Sequence, residues 1–215
     1  MIRILCALLV IGGAGCDAGR LGSPRASAGG QDRLPPLAAD TLTEAQKSAI
    51  ARFAAARGQQ PFGPFVPLLR SPELMLAAQS MGDYLRFKSP VAPRVREMAI
   101  LLTCRAWGQQ YEWRTHYPLA LQAGLAREVA DAIESGRRPH GIDEEEEAAY
   151  ELLFEILYNK RVSDPTWRRA AQAFGDNGVV DLLGTAGYYS FLAIVLNAAR
   201  TPSPADPPAL QRFPN

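Results

Sequence analysis

Apolar residues in the middle of the chain recur every three or four positions, which is the spacing of helices that bury one face. No segment shows the sustained alternation of apolar and polar residues that is typical of a half-buried strand. We therefore predict an all-α fold, in which several helices between residues 41 and 200 form a single domain.

Residues with strong capping preferences indicate where these helices begin and end. Thr43 followed by Gln46 has the capping-box pattern, and Gly58 ends the helix that it opens. Asp143 precedes four glutamates, whose charges suit the positive end of a helix dipole. A loop is predicted over residues 61–67, which contain three prolines. Further helices are predicted over residues 72–87, 93–107, 109–123, 126–135, 144–157, 164–174 and 178–199. The predicted buried stripe of the helix over residues 72–87 is Leu74, Ala77, Ala78, Met81 and Leu85.

The first sixteen residues have the pattern of a bacterial export signal. Arg3 supplies a positive charge, residues 4–11 are apolar, and small residues follow. The end Ala14-Gly15-Cys16 resembles a lipobox, in which the cysteine is acylated, although Gly13 stands where leucine is usual. We predict a lipoprotein of the bacterial cell envelope, held to the membrane through Cys16 and facing the periplasm or another extracytoplasmic space. Plain secretion and a chance apolar N-terminus are the alternatives.

Composition divides the rest of the chain. Residues 17–40 are rich in Gly, Ala, Ser and Pro, so they bury too little to order themselves. Five prolines near the C-terminus predict an extended end. The predicted organisation is a signal peptide over residues 1–15, a tether over residues 16–40, the helical domain over residues 41–200 and a proline-rich tail over residues 201–215.

Charge and cysteine content exclude several classes of function. The 23 basic and 22 acidic residues give a net charge of +1, so there is no basic excess to bind nucleic acid. Three cysteines cannot build a disulfide framework. If Cys6 leaves with the signal peptide and Cys16 is acylated, Cys104 is the single remaining thiol, and a small buried residue is its ordinary role. The sequence has no apolar run of the length that an ordinary membrane-spanning helix needs.

One cluster of side chains has the types and the spacing needed for proton transfer. Gln109, Glu112 and His116 share one helix face, and Glu97 meets that face if its helix and the next pack as a hairpin. Burial raises the pKa of a carboxyl group, and a neighbouring carboxylate fixes the tautomer of an imidazole. The alternative is a solvated Glu–His pair. The other histidine, His140, lies in a predicted exposed loop.

The residues around this cluster resemble the carboxymuconolactone decarboxylase family, which includes the alkylhydroperoxidase D-like proteins. The resemblance covers about residues 61–201 and implies an alkylhydroperoxidase D-like helical bundle that assembles as a homo-oligomer, often a trimer or hexamer. It rests on residues 94–97, 111–116, 123–125 and 176–197.

The same resemblance argues against peroxidase chemistry in this chain. In the peroxidase branch, a glutamate and a histidine act with a Cys-x-x-Cys pair. Glu97 and His116 match the first two, but Gln109 and Glu112 stand at the cysteine positions. An attacking and a resolving thiol are therefore both missing, and Cys104, five residues before Gln109, does not replace them. An alkylhydroperoxidase-type antioxidant protein is thus a disfavoured alternative.

The pattern that remains is similar to that of the decarboxylase-like members. It implies cofactor-free proton transfer, as decarboxylation or isomerisation, on a small cyclic or lactone carboxylic acid. By this hypothesis His116 is the general acid or base, Glu112 orients it or shares its proton, and Glu97 completes the relay.

Substrate binding is assigned to an arginine and an amide at the ends of these helices. Arg96, or Arg94 in its place, would hold a carboxylate, and Gln109 would contact the substrate. No metal or other cofactor is expected. Two alternatives remain, namely a non-catalytic binding domain at the envelope and a metal site formed by Glu97, Glu112 and His116.

Overall fold

A computed structural model describes residues 31–204 and Leu210 of the chain. The predicted signal peptide, Cys16 and most of the predicted tether and tail lie outside the described residues. Within the described part all regular structure is helical, which confirms the all-α prediction. The helices are α1 (Glu44–Arg57), α2 (Phe65–Leu68), α3 (Pro72–Phe87), α4 (Pro93–Trp107), α5 (Gln110–Gln122), α6 (Arg127–Glu134), α7 (Glu144–Phe154) and α8 (Asp164–Ala199). A 3-10 turn over Ala39–Thr41 precedes α1, and a π-helical turn over Glu155–Asn159 extends α7.

The helices begin and end where their capping residues predict. The backbone N–H of Gln46 donates to Thr43 at 3.2 Å, and that of Thr43 donates back to the Gln46 side chain at 2.9 Å. Asp143 and Glu146 form the same reciprocal pair at the start of α7. Gly58 ends α1 with a φ of 70°, a left-handed conformation that glycine adopts without strain. The capping predictions are therefore confirmed.

Helix α8 is interrupted at Gly175, which has a φ of 65° and a ψ of 171°. This break separates the two helices that the sequence predicts over residues 164–174 and 178–199. Within the described part of the chain, α8 alone is long and apolar enough to cross a membrane. More than half of its most apolar stretch is buried among the other helices, as in a core helix.

Helix α4 forms the centre of the domain. All of its residues from 97 to 104 are buried, because α4 packs against α5, α6, α7 and α8. A helix that is enclosed on all sides has no solvent-facing stripe, so any polar side chain on it must find a partner inside the protein. This constraint applies to Glu97, which lies at the start of the enclosed stretch.

Two predicted details are wrong. The stripe that α3 buries is rotated by one residue from the predicted one, so that Leu74 and Met81 are 46% and 44% exposed. Residues 61–67 do not form a simple loop, because α2 begins at Phe65. The observed buried stripe of α3 is Met75, Ala78, Gln79, Gly82 and Leu85.

The described ends of the chain lie against the domain. The backbone N–H of Arg33, in the predicted tether, donates to the carbonyl of Ala199 at 2.8 Å. Leu210, in the predicted tail, is buried, and its carbonyl accepts a hydrogen bond from the Gln110 side chain at 2.8 Å. The last residues of the predicted tether and Leu210 of the tail are thus bound to the helices.

The close approach of α3 to α8 predicts opposite effects for two glycine substitutions. A Cβ atom at Gly82 would overlap the hydroxyl of the buried Tyr188, whereas one at the exposed Gly187 would meet open space. We expect Gly82→Ala to lower the free energy of unfolding by about 1–3 kcal/mol through overpacking. Gly187→Ala should raise it by up to about 1 kcal/mol, because alanine favours a helix more than glycine does. Urea denaturation measures both, and equal effects would contradict the predicted overlap.

Candidate functional site

The hairpin of α4 and α5 brings together a buried carboxylate and a buried imidazole. The Nδ1 atom of His116 lies 2.7 Å from Oε2 of Glu97. Glu97 is 6% exposed and His116 is 2% exposed, so almost no water competes for this contact. The structure thus joins the two residues in the way that the predicted helix hairpin requires.

The second nitrogen of the imidazole has two neighbours. The hydroxyl of Tyr189, on α8, lies 3.2 Å from Nε2 of His116, and Oε2 of Glu112 lies 3.5 Å from the same atom. An ionised Glu97 can only accept a hydrogen bond, so Nδ1 then carries a proton. In the neutral ring, Nε2 consequently accepts from Tyr189. A hydrogen bond between Glu112 and this nitrogen requires that either the carboxyl group or Nε2 is protonated.

Glu112 is the acid with an unsatisfied oxygen. It is 4% exposed, and its Oε1 atom has no hydrogen-bond partner among the described residues. Burial raises the pKa of this carboxyl group, and the charge of Glu97 adds to the rise. His116 and Arg86 act in the opposite direction. The protonated form is therefore favoured relative to an exposed glutamate, and Glu112 can serve as a proton donor.

A small cavity of about 40 Å³ opens next to this cluster. Glu112, His116 and Tyr189 line it, whereas Glu97 stands behind His116 and does not. Much of the remaining wall is formed by aromatic and aliphatic side chains, which include Phe62, Phe65, Tyr111, Tyr188 and Leu192. The arrangement is a compact, mostly apolar chamber with a few converging polar groups. Its volume is well below the roughly 300–1,000 Å³ of a typical small-molecule site, so a ligand has to extend beyond it or enlarge it.

Two arginines complete the cavity wall, and sequence reasoning missed both. The Nη2 atom of Arg57 pairs with Asp83 at 2.7 Å, and the guanidinium lies 4.8 Å from the centre of the Phe65 ring. Arg86 comes from α3, and its charge lowers the pKa of Glu112. Neither arginine lies near Glu112 in sequence, so no spacing rule connects them with it.

Gln109 does not line the cavity, although it was predicted to contact the substrate. Its side-chain oxygen caps α5 by accepting from the backbone N–H groups of Tyr111 and Glu112, the second at 3.4 Å. Its side-chain nitrogen donates to Asn197 at 2.8 Å. Gln109 is thus a buried capping residue that fixes the first turn of α5, where Glu112 lies.

The two arginines that the sequence favours for substrate binding also lie outside the cavity wall. Arg96 donates to the carbonyl of Val91 at 3.4 Å, and burial lowers the pKa of its guanidinium. Arg94 pairs with Asp143 at 2.6 Å and with Glu145 at 2.9 Å. Two of the acidic residues at the start of α7 are therefore paired with an arginine of α4.

The geometry also bears on thiol and metal chemistry. Burial raises the pKa of the Cys104 thiol far above its usual range, and the charges of Glu112 and Glu97 add to the rise, so the reactive thiolate is suppressed. Glu97 and Glu112 lie at opposite nitrogens of His116 and do not converge on one point. Within residues 31–204, no three histidine, cysteine or acidic side chains are grouped as metal ligands.

Comparison with known proteins places this architecture. Residues 72–155 match the model of the carboxymuconolactone decarboxylase family. A solved structure of a protein of unknown function from Agrobacterium tumefaciens, for which an AhpD antioxidant defence role has been suggested, is 16% identical. It covers 65% of this chain and 96% of its own, with a TM-score of 0.58. No curated protein sequence matches the chain.

A second solved structure is that of the debrominase Bmp8, as a cysteine-to-alanine variant in complex with 2,3,4-tribromopyrrole. It is 14% identical and covers 80% of this chain and 91% of its own, with a TM-score of 0.62. At these identities both structures establish a shared fold and nothing about substrates.

The raised pKa of Glu112 predicts a pH-dependent effect of Glu112→Gln on stability. Above the usual glutamate pKa of 4.5, the unfolded chain releases this proton while the folded chain keeps it. The stability of the wild type therefore falls as the pH rises, until the pKa of the folded protein is passed. The variant lacks this loss, so the difference between its free energy of unfolding and that of the wild type should move in favour of the variant as the pH rises.

Urea denaturation between pH 4 and pH 8 measures this difference. Glu73→Gln is the matched control, because Glu73 is exposed on α3. We expect the control to follow the wild type across the range. A difference between Glu112→Gln and the wild type that does not change with pH would contradict the raised pKa.

Proposed function

The chain belongs to the carboxymuconolactone decarboxylase family, and on this premise we propose that it is an enzyme that transfers protons on a small cyclic or lactone carboxylic acid. The reaction is a decarboxylation or an isomerisation, and it uses no cofactor. The observation that supports this proposal is the Oε1 atom of Glu112, which has no hydrogen-bond partner among the described residues. Its side chain lines the cavity together with His116, whose imidazole is held by the buried Glu97.

Each acidic or basic group has a separate task in this proposal. Glu112 exchanges the proton with a carbon atom of the substrate. Its side chain borders the cavity, and its Oε1 atom is not used by any hydrogen bond within the described residues. His116 stands 3.5 Å from the other oxygen of Glu112 and returns the proton to it or takes it away. Glu97 is a positioning residue that holds the imidazole through Nδ1 and stabilises it when it is charged.

The two candidate reactions share a dienolate intermediate. In a decarboxylation, the bond to the carboxylate breaks, carbon dioxide leaves, and the electron pair passes to the lactone carbonyl. Protonated Glu112 then supplies a proton to carbon, and solvent replaces it. In an isomerisation, ionised Glu112 removes a proton from one ring carbon and returns it to another. In both cases a raised pKa helps, because a weaker acid has a stronger conjugate base and is still partly protonated at a higher pH.

A thiol peroxidase function has less support from the residues present. Glu112 and Gln109 stand at the two cysteine positions, and Gln109 is engaged as a helix cap. Cys104 is buried and its pKa is raised, so it does not supply a reactive thiolate. Thiol-dependent peroxide reduction that survives Cys104→Ser would contradict this argument.

The proposal predicts that turnover depends on His116. A suitable probe is a butenolide carboxylate, in which the ring carbon that bears the carboxylate also carries an acidic hydrogen. NMR in deuterium oxide follows exchange at this carbon, and carbon dioxide release is measured in parallel. We expect the wild type to accelerate one of the two, and His116→Ala or Glu112→Gln to reduce the rate about a hundredfold or more.

His140→Ala is the matched control, because it removes the other histidine, which is exposed. It should retain the wild-type rate. Full turnover by His116→Ala would refute the proton-transfer mechanism. Ligand binding without any turnover on related lactone acids would favour the alternative of a non-catalytic binding domain.

We also propose that the domain is held at the bacterial envelope through an acylated Cys16, and that it forms a homo-oligomer, a trimer or hexamer. The lipobox-like sequence supports the anchor, and the family resemblance supports the oligomer. The anchor predicts that the full chain, expressed in a bacterium, incorporates labelled palmitate and separates with membranes. Cys16→Ala should abolish both, and Cys104→Ala is the control. Unchanged labelling of Cys16→Ala would contradict the anchor.

A further inference from the structure

The cavity wall contains one cation without a carboxylate partner. Arg57 is bound to Asp83, whereas no carboxylate of residues 31–204 pairs with Arg86. The guanidinium of Arg86 lies 5.3 Å from the centre of the Phe87 ring, which is 69% exposed. Arg86 is only partly buried and borders the same cavity as Glu112. A guanidinium in this setting has its hydrogen-bond donors available for an incoming anion.

Glu112, which borders the same cavity, supplies the second observation. Oε1 of Glu112 is buried and has no hydrogen-bond partner within residues 31–204, although a buried oxygen is normally bonded. A ligand placed between Arg86 and Glu112 would satisfy both groups at once. An anionic oxygen suits the guanidinium, and a reacting carbon or a proton-bearing group suits the carboxyl.

We propose that Arg86 binds the carboxylate of the substrate, and that this carboxylate stays on the product while Glu112 moves a proton on the neighbouring ring carbon. This inference rests on the proposed function and specifies its substrate, a compact cyclic acid bound as a monoanion. Arg57, which is paired with Asp83, also borders the cavity.

Electrostatics determine which reaction this arrangement favours. A cation on a carboxylate that leaves as carbon dioxide stabilises the reactant more than the transition state, in which its charge is dispersed. The same cation on a retained carboxylate stabilises the negative charge that develops when the adjacent carbon loses its proton. Isomerisation is therefore favoured: Glu112 takes the proton, the double bond shifts, and the proton returns to another ring carbon. No atom is gained or lost.

Binding of 2-furoate tests the role of Arg86 without relying on turnover. This compact cyclic carboxylate is compared with its neutral analogue 2-furamide by isothermal titration calorimetry. We expect the wild type to bind furoate and to bind furamide much more weakly. Arg86→Met should lose about tenfold or more in furoate affinity, because it removes a charged hydrogen-bond donor. Arg86→Lys should retain part of the affinity.

Arg161→Met, at an exposed arginine outside the cavity wall, is the matched control and should bind as the wild type does. Thermal unfolding of each variant verifies its fold, and Arg86→Lys provides a second variant if Arg86→Met does not fold. The proposal is overturned if furoate does not bind to the wild type, if furamide binds equally well, or if Arg86→Met retains full affinity.

Proton uptake on binding tests whether the bound anion lies beside Glu112. A negative charge next to this acid favours its protonated form, so furoate binding should take up protons at pH values where free Glu112 is partly ionised. Titrations in buffers with different ionisation enthalpies measure the uptake, which Glu112→Gln should abolish. Equal uptake by this variant would place the anion elsewhere and would overturn the proposal. The groups that border the cavity with Glu112 or act on its charge are Arg57, Arg86, Glu97, Cys104, Tyr111, His116, Tyr188 and Tyr189.

These measurements separate the two proposals. If furoate binds through Arg86 while His116→Ala has no effect on turnover, the carboxylate site stands and the proton-transfer mechanism fails. If His116→Ala abolishes turnover while Arg86→Met binds furoate normally, the mechanism stands and the carboxylate site fails.

Discussion

The contact between Glu97 and His116 is the constraint on which the candidate site depends. Glu97 begins a stretch of α4 that is enclosed by other helices, and a buried carboxylate costs several kcal/mol unless it is paired. Its partner comes from α5, so the pair fixes how α5 lies on α4. Glu112, one helical turn before His116, is then placed at the cavity. The geometry of the site therefore follows from the need to satisfy one buried charge.

The contact between Glu97 and His116 also changes which residue is expected to meet a ligand. His116 is the obvious acid or base from its type, but both of its nitrogens already have neighbours inside the protein. Among the described groups that line the cavity, the buried oxygen without a hydrogen-bond partner belongs to Glu112. Residue spacing on a helix shows that Glu112 and His116 are close, but not which of their atoms already have hydrogen-bond partners. Only the three-dimensional structure shows this, and it favours Glu112 as the group that would meet a ligand and His116 as the group that supports it.

Sequence analysis succeeded where the information was local. The capping pairs and the glycine at the end of α1 act within one turn, so they could be recognised without tertiary structure. The buried face of α3 could not, because apolar residues lie on both sides of that helix, and Gly82 allows the contact with Tyr188 that selects one of them. The cavity arginines come from α1 and α3, and no periodicity in the sequence connects them with Glu112.

By the family resemblance, Gln109 and Glu112 stand where the peroxidase branch has two thiols, and this difference bears on what the proposed site can exchange. At the start of a helix, the dipole favours negative charge, which would activate a thiolate. Here Gln109 uses that position to cap α5, and Glu112 in the first turn experiences opposing influences. Burial and Glu97 favour its protonated form, whereas His116 and Arg86 favour the ionised form. Because neither influence acts alone, both charge states of Glu112 find support within the site. The proposed function uses this balance to exchange protons, where a dithiol would exchange electrons.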